Sequence, residues 1–192
     1  MTALPNDWLA SPPVEWTLAD VQALPEKTRA EVLDGALIVT PSPLPIHQRI
    51  VRRLAAALEL QLADGWQLET DVDVMLAHDP LDYLTPDIVV FRADVPLTVR
   101  PIPGDAILLV VEVVSKGSRR EDRGAKPLAY AEAGIPNFWL VEGPASGASA
   151  LAVHTFALDT SSGKYIPSLV HHTRMTTTLI TPVDIDLTTL TR

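Results

Sequence analysis

Hydrophobic positions change period several times along the 192-residue chain. Residues 1–16 are Pro-rich and carry Trp8 and Trp16, which predicts an arm lying over the body. Thr17-Leu18-Ala19-Asp20 reads as a helix start with Thr17 as N-cap, and the helix ends before Pro25. In the stretch EVLDGALIVT (31–40), Asp34-Gly35 is a turn signal between two short apolar strands. Pro41, Pro43 and Pro45 make a stiff connection. From Ile46 the period becomes helical. Ile50, Leu54, Leu58 and Leu62 recur every fourth residue beside Val51, and Arg49, Arg52 and Arg53 fall off that stripe. Asp64-Gly65 stops the helix.

Residues 66–76 then alternate apolar and polar, the period-two signature of a strand with one wet face. Residues 78–85 turn the chain, and Pro86-Asp87-Ile88-Val89-Val90-Phe91 reads as a short strand buried on both faces. A loop with Pro96, Pro101 and Pro103 leads to AILLVVEVV (106–114), the most strand-like run and central in its sheet. Ser118 and Glu121 have capping-box spacing for a helix that runs to about Ala133. Gly134 and Pro136 end it, and NFWLV (137–141) is another buried strand. Residues 151–158 and 164–170 form a hairpin around Ser161-Ser162-Gly163. Strand, helix and strand across 106–141 imply a crossover with a parallel pair. The expected class is α/β (α+β), with one mixed sheet flanked by helices and a C-terminal hairpin. An arm (1–16) and one domain (17–192) are the expected organisation.

Composition narrows the chemistry. There is no cysteine, so disulfides, zinc-thiolate sites and cysteine nucleophiles are ruled out. No apolar run approaches the about 20 residues of a membrane span. The start MTALPNDWLA lacks the basic and apolar regions of an export signal, so a cytoplasmic protein is expected. Fifteen Lys and Arg against 24 Asp and Glu give a net charge of −9, which argues against broad coating of DNA but leaves room for a local basic groove.

Glu112 is out of place inside AILLVVEVV, because an unpaired carboxylate is costly to bury. Asp87 opens the other buried strand. If the two strands are neighbours, the carboxylates converge, and either one keeps a proton or a cation sits between them. Hard oxygen ligands without cysteine select Mg²⁺ or Mn²⁺. The alternative is that Glu112 pairs with an arginine or points out at a strand edge. Lys126, one crossover later, either faces the acids or forms an ordinary i, i+4 pair with Asp122. Lys116, Arg119, Arg120, Arg123 and Lys126 make 116–126 the most basic segment, as a solvated helix face or as the wall of a site. His47 and Gln48 open the long helix, where a histidine caps, meets an anion or is simply structural. Glu31 is a third acid or a surface residue. Asp71 and Asp73 read as solvated, and His171-His172 as incidental. No phosphate-binding glycine loop, HExxH or GxSxG is present.

EVLDGAL from Glu31, SPLPIHQ ending in His47-Gln48, PDIVV around Asp87, VVEVVS around Glu112, and DRGAK ending in Lys126 follow one another, with YAEAGIPNFWLV from Tyr130 and DIDL from Asp184 behind them. In this order they resemble the Uma-two family of restriction endonuclease-like proteins, in the PD-(D/E)XK nuclease superfamily, over residues 17–190. The resemblance implies a nuclease-like core with metal-binding carboxylates at strand ends. It makes Asp87 and Glu112 the metal acids, Glu31 the N-terminal acid, and His47 with Gln48 the helix-start pair. The superfamily lysine normally stands two residues after the second acid, where this chain has Val114, and Lys126 is the substitute on the following helix. Pro127 departs from the family pattern. It predicts a kink at Lys126 or a helix that begins anew at Pro127.

The resulting expectation is a Mg²⁺- or Mn²⁺-dependent endonuclease acting on DNA. Asp87, Glu112, Lys126 and Glu31 would carry the chemistry, His47 and Gln48 would bind substrate, and Arg49, Arg52, Arg53, Arg119, Arg120 and Arg123 would contact phosphates. A homodimer with no membrane association is expected. The alternatives are a catalytically inactive nuclease fold kept as a binding or assembly module, and a hydrolase that uses the same acids on another substrate.

Overall fold

The computed structural model describes residues 13–25, 28–39 and 42–192, without the side chain of Arg119. Trp8, most of the arm and Pro41 lie outside the described residues. Thr17 caps α1 (Leu18–Gln22) in a full capping box with Asp20. Strands β1 (Ala30–Leu33) and β2 (Ala36–Val39) form the predicted hairpin. Asp34 and Gly35 both have positive φ, 51° and 70°, as a two-residue turn matched to strand twist requires. Helix α2 (Pro45–Glu59) starts with Pro45 at its first position and buries Ile50, Val51, Leu54 and Leu58.

The alternating run over 66–76 is not one strand. It divides into β3 (Trp66–Thr70) and β4 (Val74–His78), which belong to different sheets. Between them Asp71 adopts a left-handed φ of 58°. Alternation carries through this corner unbroken, so it does not mark where the chain changes sheet. The predicted turn over 78–85 contains a buried strand, β5 (Leu81–Leu84), paired with β4. Next come β6 (Ile88–Arg92), the short β7 (Ile102–Pro103) and the central β8 (Ile107–Val113).

The predicted helix over 119–133 is two helices, α3 (Arg119–Arg123) and α4 (Ala125–Glu132), broken at Gly124. The break comes before Lys126 rather than at Pro127. Pro127 lies in the first turn of α4, where backbone N–H groups have no partner within the helix, so its missing donor costs nothing. Ser118 stands at the N-cap position but makes no capping bond. Then follow β9 (Asn137–Glu142), the hairpin β10 (Ala152–Asp159) and β11 (Lys164–His171), and the terminal pair β12 (Arg174–Thr178) and β13 (Pro182–Asp186).

The strands thus build two main sheets rather than one. A six-stranded mixed sheet has the order β11-β10-β9-β8-β6-β3, and a five-stranded sheet the order β2-β1-β5-β4-β7. Strands β8 and β9 are parallel, joined by the α3–α4 crossover. One face of the six-stranded sheet packs Val90, Leu109, Val111 and Trp139 against α2 and the β12–β13 pair. Its other face packs Val89, Val110 and Phe138 against α4 and against Leu33, Val74 and Leu84 of the five-stranded sheet. Trp16 and Leu24 cover the far side of that second sheet. No helix among the described residues is long and apolar enough to cross a membrane.

Candidate active site

Strands β6 and β8 are antiparallel neighbours with Ile88 opposite Val111. One step further along this register sets Asp87 opposite Glu112. Both side chains line one cleft of about 980 Å³, which Glu31, His47, Asp122 and Lys126 also line. Acids outnumber Lys and Arg among its lining side chains.

The centre of the cluster is Lys126. Its ammonium lies 2.9 Å from Glu31 Oε1, 3.1 Å from Glu112 Oε1 and 3.7 Å from Asp122 Oδ1, and its side chain is only 4% exposed. Burial opposes the charge on Lys126, but Glu112, Glu31 and Asp122 together hold its proton more tightly than usual. Tyr130 donates its hydroxyl to the same Glu112 Oε1 at 2.6 Å. That oxygen therefore accepts from two donors. Glu112 Oε2 makes no hydrogen bond among the described residues. Burial lifts the Glu112 carboxyl well above its ordinary range, Lys126 pulls it back, and Asp122, Asp87 and Glu31 add to the rise. With Oε1 occupied by two donors, Oε2 is the Glu112 oxygen left without a hydrogen bond among the described residues.

Asp87 Oδ2 accepts the Val113 N–H at 2.7 Å and lies 3.3 Å from His47 Nε2. Burial works against a charged His47, but Asp87 beside it outweighs this and raises its pKa. Glu31 Oε1 also accepts the Thr85 N–H at 2.9 Å. Asp122 accepts the Ser118 hydroxyl, and Ser118 Oγ accepts the Ser115 N–H at 3.2 Å instead of capping α3. Burial lifts Asp122 to about 6 against the pull of Lys126 and of the Ser118 hydrogen bond. Glu31 Oε2, Asp122 Oδ1 and His47 Nδ1 are buried with no hydrogen-bond partner among the described residues.

The residues that sequence reasoning singled out fall in two groups. Asp87, Glu112, Lys126, Glu31 and His47 come together in the cleft. Gln48, Arg49, Arg53, Arg120 and Arg123 are not among its lining. Gln48, Arg49 and Arg120 are exposed. Arg53 bonds the carbonyl of Thr189, and Arg123 donates to Glu142 at 2.8 Å. Glu31 is buried rather than at the surface. Asp73, read as solvated, is also buried, holding Arg100 and accepting from Thr85 Oγ1 at 2.8 Å. Asp122 and Tyr130 were not singled out as site residues. Their spacing of four on either side of Lys126 is the signal that places them on its side of the crossover.

The donor set can be tested against a divalent ion. No group of three His, Asp or Glu among the described residues is arranged to hold one. Asp87 Oδ1 and Glu112 Oε2, however, make no hydrogen bond among the described residues and sit on side chains lining the same cleft. Two hard carboxylates, completed by water and phosphate, match the way proteins hold Mg²⁺. The residues fit such an ion as a two-carboxylate site.

No curated protein matches this chain. A solved structure described as "a putative nuclease belonging to DUF820", from Anabaena variabilis, is similar in fold. It has a TM-score of 0.67 at 14% identity, covering 91% of this chain and 97% of that one. The Uma2 family model, described as "Putative restriction endonuclease", matches residues 18–189. The chain belongs to the Uma2 family.

Proposed function

We propose that the protein is a divalent-metal-dependent phosphodiesterase that cuts nucleic acid, with DNA as its substrate. The observation that carries this reading is the convergence of Asp87, Glu112, Glu31, Asp122 and Lys126 from four separate stretches of chain into one cleft. So many buried acids around one lysine leave negative charge over, and a cation is the simplest partner for it.

Asp87 and Glu112 would hold Mg²⁺ or Mn²⁺, which supplies Lewis-acid charge to the phosphate and a more acidic water. The protein's own groups do the rest. The Val113 N–H and His47 fix Asp87. Tyr130 and Lys126 fix Glu112 through Oε1, so Oε2 would be the oxygen available to the ion. Lys126 keeps a full positive charge beside Glu112 and stabilises negative charge developing on the phosphate. Glu31 and Asp122 anchor the ammonium from the other side.

The test is cutting of plasmid and of single-stranded DNA with and without Mg²⁺ or Mn²⁺. Cutting that needs the metal, and that disappears in Asp87→Ala/Glu112→Ala, is the expected result. Undiminished cutting by the double variant would overturn the proposal. A second reading, a non-catalytic binding module, is favoured by one observation: Lys126 already neutralises part of the acid cluster. No Mn²⁺ binding at millimolar metal, together with retained nucleic-acid binding, would favour that reading.

A further inference from the structure

Arg29 and Arg100 are the only arginines lining the cleft among the described residues. They come from distant parts of the chain, one just before β1 and the other at the end of the 93–101 loop. Both are tied to the same short connector between β3 and β4. Arg29 forms a two-pronged pair with Asp71, one prong at 3.1 Å. Arg100 pairs with Asp73.

This connector is fixed to the reactive centre at two points. The Asp71 N–H donates to the Asp87 carbonyl at 3.3 Å. Asp73 accepts from the Thr85 hydroxyl, and the Thr85 N–H donates to Glu31. Asp71 itself holds a left-handed backbone, which side chains other than glycine seldom adopt and which gathers at ligand clamps. The guanidiniums stay open to solvent. Side-chain exposure is 41% for Arg29 and 76% for Arg100, while Asp73 is buried beneath. Exposed ion pairs contribute little stability, so stability alone does not account for the Arg29–Asp71 pair, whereas Arg100 also balances the buried Asp73 carboxylate. A guanidinium already presenting its fork to a carboxylate has the geometry that receives a phosphate, and an incoming phosphate can exchange with the carboxylate.

We propose that Arg29 and Arg100 form a phosphate clamp on the rim of the cleft, gripping the nucleic-acid backbone next to the bond to be cut. Asp71 and Asp73 hold the two arginines ready until substrate arrives. The clamp rests on the nuclease reading above and adds the residues that seat its substrate. It also places the phosphate contacts away from Arg49, Arg53, Arg120 and Arg123, which lie outside the cleft.

The experiment measures fluorescence anisotropy of a labelled DNA oligonucleotide across a salt series in Ca²⁺, with thermal unfolding recorded for each variant. Arg29→Ala/Arg100→Ala is expected to weaken binding by about tenfold or more. It should also lower the slope of log affinity against log salt by about two, one for each lost phosphate contact. Asp71→Asn tolerates the left-handed backbone and releases Arg29, so binding is expected to tighten severalfold. A merely structural role for the pair predicts no gain from Asp71→Asn. Unchanged affinity and slope in the double arginine variant, or weaker binding in Asp71→Asn, would overturn the clamp. If metal-dependent cutting still requires Asp87 and Glu112 in that case, the clamp alone falls. If the wild-type chain binds no oligonucleotide, the clamp falls, and the cutting test decides the nuclease reading separately.

Discussion

Lys126 donates a hydrogen bond to Glu31 at 2.9 Å across 95 residues of chain, with both side chains buried. This contact joins the first strand of the five-stranded sheet to the crossover helix of the six-stranded sheet. It brings a carboxylate that lies far from Asp87 and Glu112 in sequence into their site. The same ammonium serves Glu112 at 3.1 Å, so one lysine holds the charge balance of the centre.

Lys126→Met removes the counter-charge and leaves Glu31, Glu112 and Asp122 buried together. Breaking a buried ion pair from one side costs about 3–5 kcal/mol. Urea unfolding should show a loss of this size. Adding Glu31→Gln and Glu112→Gln should restore part of it, because the stranded charges go. A stability unchanged in the single variant would contradict the central role of the ammonium.

Asp122 has its pKa raised from 3.8 to about 6 in the fold. An acid raised on folding keeps its proton when the unfolded chain has already released it. Wild-type stability should therefore fall as pH rises from about 4 to about 6, by up to about 3 kcal/mol from this group. Asp122→Asn removes that penalty. Its stability relative to wild type should rise over the same window and level off above it. Parallel curves for the two proteins in metal-free buffer would show the carboxyl to be unperturbed.

Tyr130→Phe removes a donor that favours the ionised form of Glu112. The already raised Glu112 carboxyl then holds its proton to still higher pH. A metal must displace that proton, so Mn²⁺ affinity should fall more at the lower of two pH values than at the higher. Stability should fall by about 1 kcal/mol through the lost hydrogen bond. Calorimetric titration at the two pH values checks the first effect, and equal losses at both would contradict it.

Gly124 separates α3 from α4, and a Cβ there would sit 2.9 Å from the Arg120 carbonyl. The contact is with backbone, so one helix has to shift. Gly124→Ala should cost about 1–3 kcal/mol and move Lys126 off its partners, with cutting reduced about tenfold. Normal activity with normal stability would show that the break does not position the lysine.

Much of this fold was legible in the sequence. The stripe of Ile50, Leu54 and Leu58, the Asp34-Gly35 turn and the buried runs around Val89 and Val110 each report a local period or a local turn. The misplaced acid in AILLVVEVV pointed to the site because burial of a carboxylate is costly wherever the strand lies. What stayed hidden depended on contacts between distant residues. The division of strands between two sheets turns on a corner at Asp71 that does not interrupt alternation. Glu31 and Asp73 look like surface acids until Lys126 and Arg100, far along the chain, come to them. The arginines near basic segments drew attention by local density, whereas Arg29 and Arg100 stand apart in sequence and meet only through the β3–β4 connector. Pro127 looked disruptive beside Lys126, yet the break at Gly124 places it in a first turn, where a proline is tolerated.

A Mn²⁺-soaked crystal, mapped by anomalous scattering, examines the pairing of Asp87 with Glu112 most directly. One anomalous peak bound by both carboxylates, lost in Asp87→Asn/Glu112→Gln, is the expected result. A map with no peak between them at millimolar Mn²⁺, or with Mn²⁺ bound only elsewhere, would contradict a metal-dependent centre at these acids.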